Sequence, residues 1–494
     1  MELNIQKGWM PDYLPFNVPE GGLLECKNLL PYDEYYAPVL DKVDYSTNTL
    51  AGTPLSGIEF KDSSNNTYVF CGSTTKLYRL ETTKALTDIS KLATTYTAGT
   101  NKWYFIQFGD WVIATNFLDV PQVLKGFSTA NFIDLGGTPP RAKYVLLHSG
   151  HLILAHLTSG GITYPKKLQW SGKENPETWT QSFVTGADSQ DFPDGDGNIA
   201  GLATLGSGFG VFHKNSITIG WYSGSPYTFS FAVSKFKNMG AIDGSVVSVG
   251  DGAFFWGEKD IFYTNGSFIE AVGTGVRNTI LGSINLGYLY RISSLHDVRK
   301  GLIYWAYPTT NSTDGRSDRI ICYNYRKKVW AHIDTELLCL FNLQKGAVSF
   351  DDADFNTTYP SADAIPYSSD SNFWQANSPV LAGINTNSKI TMFTGAALTG
   401  EVETPEFKGE GQSIIQIKRV RPKIQLAVDT PTVNIASRFN ETDSPSYYAN
   451  AVNVGVNGYA DLRKFGRYLK CMVQTGLHSG FSSIELDMTT RGKR

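Results

Sequence analysis

The sequence of 494 residues has little cysteine, no long apolar run and no useful stretch of helical periodicity. Its five cysteines, Cys26, Cys71, Cys322, Cys339 and Cys471, are scattered without a CxxC pair. An odd, unclustered set offers no disulfide framework and fits buried thiols in a protein made in a reducing cytosol. No segment reaches the about 18 consecutive apolar residues of a membrane-spanning helix, so no transmembrane segment is expected. The N-terminal stretch MELNIQKGWMPDYLPFN has no charged start followed by an apolar core, so no signal peptide is expected either.

Catalytic signatures are missing as well. There is no G-x-S-x-G elbow and no phosphate-binding G-x4-G-K-[ST] loop, and GSGFG (206–210) lacks the spacing of a dinucleotide fingerprint. Asp194, Asp196 and Asn198 open like a calcium loop, but Ile199 stands where glycine is required and Leu205 where glutamate is, so a polar turn is expected. His148, His151 and His156 are close in sequence, yet the last two differ by five and fall on opposite sides of one strand. Ser171–Trp179 (SGKENPETW) is the nearest approach to the sialidase S-x-D-x-G-x-x-W turn, but Lys and Asn replace its Asp and Gly. No catalytic, cofactor or metal residue is expected, and the chain is read as a non-enzyme.

What is present is aromatic and repetitive. With 10 Trp, 26 Tyr and 28 Phe, the composition suits strands and large sheet-to-sheet contacts. A turn, a short apolar strand, and a second strand recur along the chain. The copies are marked by Leu77, Val123, Leu168, Ile217, Ile261, Ile320 and, more weakly, Ile390; the first four intervals are 44–49 residues and the last two 59 and 70. A period in the forties with about four strands per unit is the signature of a β-propeller blade. One blade has two apolar faces and cannot bury both, whereas a closed ring of blades buries all of them. In Lys259–Gly273 (KDIFYTNGSFIEAVG) the dipeptide Asn265-Gly266 signals a hairpin, with Phe268 starting the return strand, as the outer half of one blade. The fold class is all-β: a propeller of six or seven blades with a smaller C-terminal β-sandwich-like domain.

Three regions are expected. Residues 1–50 hold Pro11, Pro15, Pro19, Pro31 and Pro38 and read as an extended arm. Residues 51–410 form the propeller, with insertions near 308–318 and 346–378. Residues 411–494 form the C-terminal β-domain, in which Ile414–Asp429 reads as a strand pair. There Val420, Ile424, Leu426 and Val428 take even positions and Arg419, Arg421 and Lys423 odd ones. Charge divides at the same place: from residue 410 onward 12 Lys/Arg stand against 7 Asp/Glu, a net of +5, while the remainder carries 31 against 39, a net of −8.

The blade phrases CGSTTKLYRL, LGSGFGVFHKNSITIGWYSGSP and LIYWAY…RIICYNYRKKVWAHI, with the C-terminal LRKFGRYLKCMVQTG…SIELDM, resemble the tail nozzle proteins of short-tailed bacteriophages (podoviruses), also called tail hub or tail tubular B proteins. The resemblance runs from about residue 68 onward, and WSGKENPETW (170–179) adds to it. It implies a structural virion protein, synthesised in the host cytoplasm, that forms a hexameric ring below the portal and adaptor. The ring extends the tail channel, helps to retain packaged DNA, conducts it during ejection and anchors fibre, spike or needle proteins. Double-stranded DNA would pass through the lumen non-specifically, and an acidic arm and propeller would repel it rather than hold it. Within that reading Arg419, Arg421 and Lys423 are candidate partner-binding residues. Asp351, Asp352, Asp354, Tyr359 and Tyr367, in the long acidic insertion, are candidate gate or tip contacts. Two other classes fit the same pattern: a carbohydrate-binding or carbohydrate-cleaving propeller, and a cellular propeller scaffold.

Overall fold

The computed structural model describes residues 1–345, 378–409 and 413–491. Seven four-stranded antiparallel units follow one another along the chain. Their innermost strands are Pro54–Lys61, Tyr104–Phe108, Arg141–His148, Ile199–Leu205, Val247–Val249, Ser293–Asp297 and Cys339–Lys345. Each innermost strand packs beside the next, and Cys339–Lys345 packs back against Pro54–Lys61, so the ring closes. All seven repeat markers, including Ile390, lie in the third strand of their blades. The fold is an all-β propeller, and the blade number is seven.

Strand alternation builds the ring. In the second blade Val112 and Ala114 enter the core shared with the first blade, while Ile113 enters the core shared with the third. In the fifth blade Ala253 and Phe255 face the fourth blade, and Phe254 and Trp256 face the sixth. Both faces of these blades thereby carry buried side chains, which a two-residue period allows. The aromatics expected from composition sit here: Trp256 and Trp305 lie 5.7 Å apart between the fifth and sixth blades, both fully buried.

The seventh blade supplies only three strands of its own. Its outermost strand is Leu40–Asp44, which pairs with Ile390–Ala397. The first residues are therefore not a surface arm. Glu2–Asn4 pairs with the last strand, Gly480–Arg491. Leu29–Pro31 and Tyr36–Pro38 form a hairpin joined to that same strand through Tyr36 and Phe481. Glu25–Lys27 bridges the outermost strand of the sixth blade, through His332, to Gly400–Glu403. These pieces are three to five residues long, too short to show a period, and apart from the pairing within the hairpin their partners lie hundreds of residues away.

Two facing sheets make the C-terminal domain. One is ordered Ala460–Gly466, Ile414–Gln425, Gly480–Arg491, Tyr36–Pro38, Leu29–Pro31. The other joins Gly400–Glu403, Tyr468–Thr475, Thr432–Arg438 and Val452–Asn453. Ile417, Val420, Ile484 and Leu486 of the first share a core with Val433, Ile435, Cys471 and Val473 of the second. The boundary lies earlier than residue 410, since Gly400–Glu403 already belongs to this sandwich. The second sheet runs without a break through Glu25–Lys27 into the sixth blade, giving twelve hydrogen-bonded strands.

The hairpin at Asn265 differs from a two-residue turn. Thr264 pairs with Ile269, so four residues form the loop. Gly266 has φ +87°, but Asn265 keeps a negative φ and instead accepts bonds from the amides of Ser267 (2.9 Å) and Phe268 (3.3 Å). Phe268 is half-exposed in the loop, not the first residue of the return strand. The insertion at 308–318 lies between two strands of the sixth blade and is tied down by Asp318, whose carboxylate accepts from the Thr309 amide and hydroxyl, both at 2.6 Å. The long interval there has a second source that the repeat pattern did not show: the helix Arg277–Ser283 and the 3-10 turn Leu286–Arg291 between the fifth and sixth blades.

Candidate functional site

Ile414–Gln425 is one strand, not a strand pair, with irregular register at Ile417/Arg419 and Lys423/Ile424. The first irregularity inserts Lys418 and leaves Arg419, Arg421 and Lys423 on the outer face. The expected alternation stops at Gln425; Leu426 has φ +45° and is 83% exposed, and Val428 is 67% exposed. The three basic side chains form a row, but each meets a carboxylate from another strand of the same sheet. Arg419 lies 3.5 Å from Asp461, Arg421 3.9 Å from Glu485, and Lys423 2.6 Å from Glu2. The hydrogen bond from Lys423, helped by Ser483, holds the Glu2 carboxyl below its ordinary range. The guanidinium groups of Arg419 and Arg421 also lie over the ring of Tyr459, at 5.9 and 5.2 Å. The three cations of the row are thus each paired locally on this face, and an acidic partner would have to compete with residues already in place. Asp351, Asp352, Asp354, Tyr359 and Tyr367 lie outside the described residues.

The other polar motifs serve the framework. His151 Nδ1 bonds the Ser171 carbonyl at 2.7 Å, and His156, at φ +57° beside a register shift, bonds the Ile199 carbonyl at 3.2 Å. Burial lowers the pKa of His148, His151 and His156. Asp196 donates its amide to Ser216 Oγ at 2.9 Å within an inter-strand turn. In SGKENPETW, Glu177 takes an ion pair from Lys125 at 2.8 Å and Trp179 is buried between blades. All five cysteines are free and buried. Among the described residues no group of His, Cys, Asp or Glu is arranged to hold a metal, and no helix is long and apolar enough to cross a membrane.

Two polar clusters escaped the sequence reading. The first joins the sixth blade to Glu25–Lys27. His332 is buried, with Nε2 in a short hydrogen bond to Glu25 and Nδ1 3.1 Å from Asp334. Asp334 also meets Arg319 at 3.1 Å, and the Trp9 ring lies 4.7 Å from the imidazole. Burial disfavours the charged ring, but the hydrogen bonds and charges of Asp334 and Glu25 outweigh it and raise the His332 pKa. Against its own burial, Asp334 is pulled down to about 2 by His332 and Arg319. In WAHID, the two-residue spacing of His332 and Asp334 placed both on one strand face; Glu25, some three hundred positions away, carried no signal.

The second cluster lies on the propeller axis. A cavity of about 210 Å³ is lined by residues of all seven blades, among them Leu55, Lys102, Tyr144, Ala200, Val246, Ser293 and Cys339. Asp243 accepts from Lys143 at 2.5 Å and from the Tyr144 hydroxyl at 2.8 Å, with the Tyr104 hydroxyl at 3.4 Å. The cavity is smaller than the ~300–1,000 Å³ of drug-sized ligand pockets.

No protein-family model matches the chain. No curated protein matches it either. Among solved structures, the selenomethionine-substituted virginiamycin B lyase of Staphylococcus aureus is similar at 8% identity and a TM-score of 0.42, covering 72% of this chain and 98% of that one. A catalytically inactive variant of that lyase, with quinupristin, gives 9% identity and a TM-score of 0.41, with the same coverage.

Proposed function

We propose that this protein is a structural subunit of a phage tail, one copy of a ring, hexameric by resemblance, that extends the tail channel and conducts DNA during ejection. The observation that carries the reading is the twelve-stranded sheet running from the sixth blade through Glu25–Lys27 into the C-terminal sandwich. A continuous hydrogen-bonded ladder couples two domains far more stiffly than a linker does, which suits a wall under load. The propeller axis is too narrow for a duplex, so the DNA lumen lies between subunits, not within one. Portal–adaptor and fibre, spike or needle contacts then fall on outer surfaces, where Arg419, Arg421 and Lys423 are candidates. Light scattering and negative-stain microscopy of the purified chain, alone and with a portal or adaptor ring, test this. Rings of about six subunits are expected; a chain that stays monomeric under both conditions overturns the reading.

A second reading, a carbohydrate-binding propeller, is favoured by exposed aromatics on the fourth blade and the adjoining loop of the third. Trp221, Tyr222, Tyr227 and Phe183 are 41%, 39%, 71% and 71% exposed, and the two loops are tied by Thr228 donating to the Gly186 carbonyl at 2.7 Å. Aromatic faces of this kind can stack on sugar rings. Binding to host surface polysaccharide that Tyr227→Ala abolishes would support it.

A further inference from the structure

We propose that the axial cavity of the propeller is a binding site for a small oxyanion, a phosphate- or carboxylate-bearing molecule held between Lys102 and Arg291. Lys143, Arg291 and one carboxylate, Asp243, lie within electrostatic reach of Lys102, which alone of these charged groups lines the cavity. Asp243 is already committed to Lys143 and two tyrosine hydroxyls. Lys102 lines the cavity and donates to the Ile292 carbonyl, a neutral acceptor. Arg291 is 8% exposed. Its Nη1 donates to the Pro54 carbonyl at 2.9 Å and its guanidinium lies 5.5 Å from the Tyr290 ring. Its Nε, fully buried, has no hydrogen-bond partner. Pro54 and Arg291 lie one and two residues from Leu55 and Ser293, both of which line the cavity. Among the described residues neither Lys102 nor Arg291 has a carboxylate partner. Buried charges in proteins are normally paired, because an unpaired one keeps its desolvation cost.

The other groups at the site do not supply the missing charge. The Cys339 thiol, on the cavity wall, is pushed up to about 12 by burial and is neutral at physiological pH. Ser56 Oγ, also on the wall, is buried without a partner and is available as a donor. Burial lowers Lys102 to about 8, with Asp243 opposing and Arg291 and Lys143 adding to the shift. At neutral pH the ammonium form still predominates. The room is ample for a small anion, since a single water needs only about 10–15 Å³.

Calorimetric titration of the full-length protein tests the site, with inorganic phosphate in one arm and succinate in the other. The runs are made at pH 8 in two buffers of different ionisation enthalpy. Saturable one-to-one binding is expected in at least one arm, and the arm that binds assigns the ligand class. An anion beside Lys102 restores its charge, so protons are taken up on binding, and the observed heat then depends on the buffer. Lys102→Met is expected to weaken binding by about tenfold or more and to remove the proton uptake. Arg291→Met is expected to weaken binding comparably; Lys102→Met, at the less buried position, carries the test if the Arg291 variant does not fold. Lys214→Ala, whose partner is Glu258 at a distant surface, is expected to bind like the parent protein. Absence of saturable binding in both arms, or unchanged affinity and proton uptake in Lys102→Met, overturns the proposal.

Discussion

Val43 pairs with Met392, so a strand from near the start of the chain closes the ring that the last blade leaves open. The seam is reinforced on both sides. Asp44 accepts from Asn385 at 2.7 Å and meets Lys389 at 3.2 Å, and the Ile390 amide donates to Ser46 Oγ at 3.0 Å. Ladder bonds alternate along an antiparallel pair, so of two neighbouring residues on an outermost strand one donates. Replacing both Lys42 and Val43 by proline therefore removes at least one bond, at a cost of about 1–3 kcal/mol. Hydrogen exchange is expected to accelerate in Ile390–Ala397 while Gly252–Trp256, across the ring, stays protected. Equal loss of protection in both strands would contradict closure at this seam.

The ring was legible in the sequence because blades are local. Four strands within about forty-five residues repeat their turns and apolar runs in order, and all seven markers fall on equivalent strands. The closing strand Leu40–Asp44 and the threads Glu2–Asn4 and Glu25–Lys27 were not legible. Their structure is dictated by partners such as Ile484 and Val402 that adjoin them only in the folded chain. Composition located the basic row Arg419, Arg421 and Lys423. It did not reveal that Asp461, Glu485 and Glu2 neutralise it, since those carboxylates come from three other strands. The axial cluster was hidden for the same reason: Lys102, Asp243 and Arg291 belong to different blades.

Inter-blade packing makes a contrast between two phenylalanines of one blade. Phe255 is fully buried, with the Phe212 ring 5.1 Å away across the blade boundary. Phe268, in the loop of the same blade, is 47% exposed. Phe255→Ala is expected to lower stability by about 3–5 kcal/mol, whereas Phe268→Ala is expected to change it by about 0.5 kcal/mol or less. Urea unfolding of the two variants checks the difference. Similar midpoints would mean that the boundary between the fourth and fifth blades is not a tight core.

The paired state of the basic row separates stability from assembly. Arg419 and Arg421 face partly exposed carboxylates at 3.5 and 3.9 Å, a geometry worth about 0–1 kcal/mol. Single alanine variants at either position are expected to unfold within about 1 kcal/mol of the parent protein. If this face also docks a partner, reversing Arg419, Arg421 and Lys423 to glutamate weakens ring formation or docking well beyond any change in monomer stability. Sedimentation of the triple variant beside its thermal unfolding curve reads the two effects separately. Intact assembly with unchanged stability would leave the row a solvated face.

The joint at His332 makes stability depend on pH in both directions. His332 has a raised pKa in the folded protein, so its contribution is fully present below the ordinary histidine pKa of about 6.5 and is lost as pH rises through the folded value. Asp334 is lowered to about 2, so its contribution is present above the ordinary aspartate value near 4 and is lost as pH falls toward about 2. The two together place the strongest joint between about pH 4 and 6.5. His332→Gln keeps hydrogen-bonding capacity but cannot carry the charge. Relative to the parent protein it is expected to lose about 1.5–3 kcal/mol at pH 5.5, with the difference narrowing as pH rises past the raised histidine pKa. Because the joint holds Glu25–Lys27 to the sixth blade, exchange at Cys26 and Lys27 is expected to accelerate in the variant at pH 5.5. A stability difference that stays constant from pH 5 to 9 would show that His332 acts through packing against Trp9 alone, not through its charge.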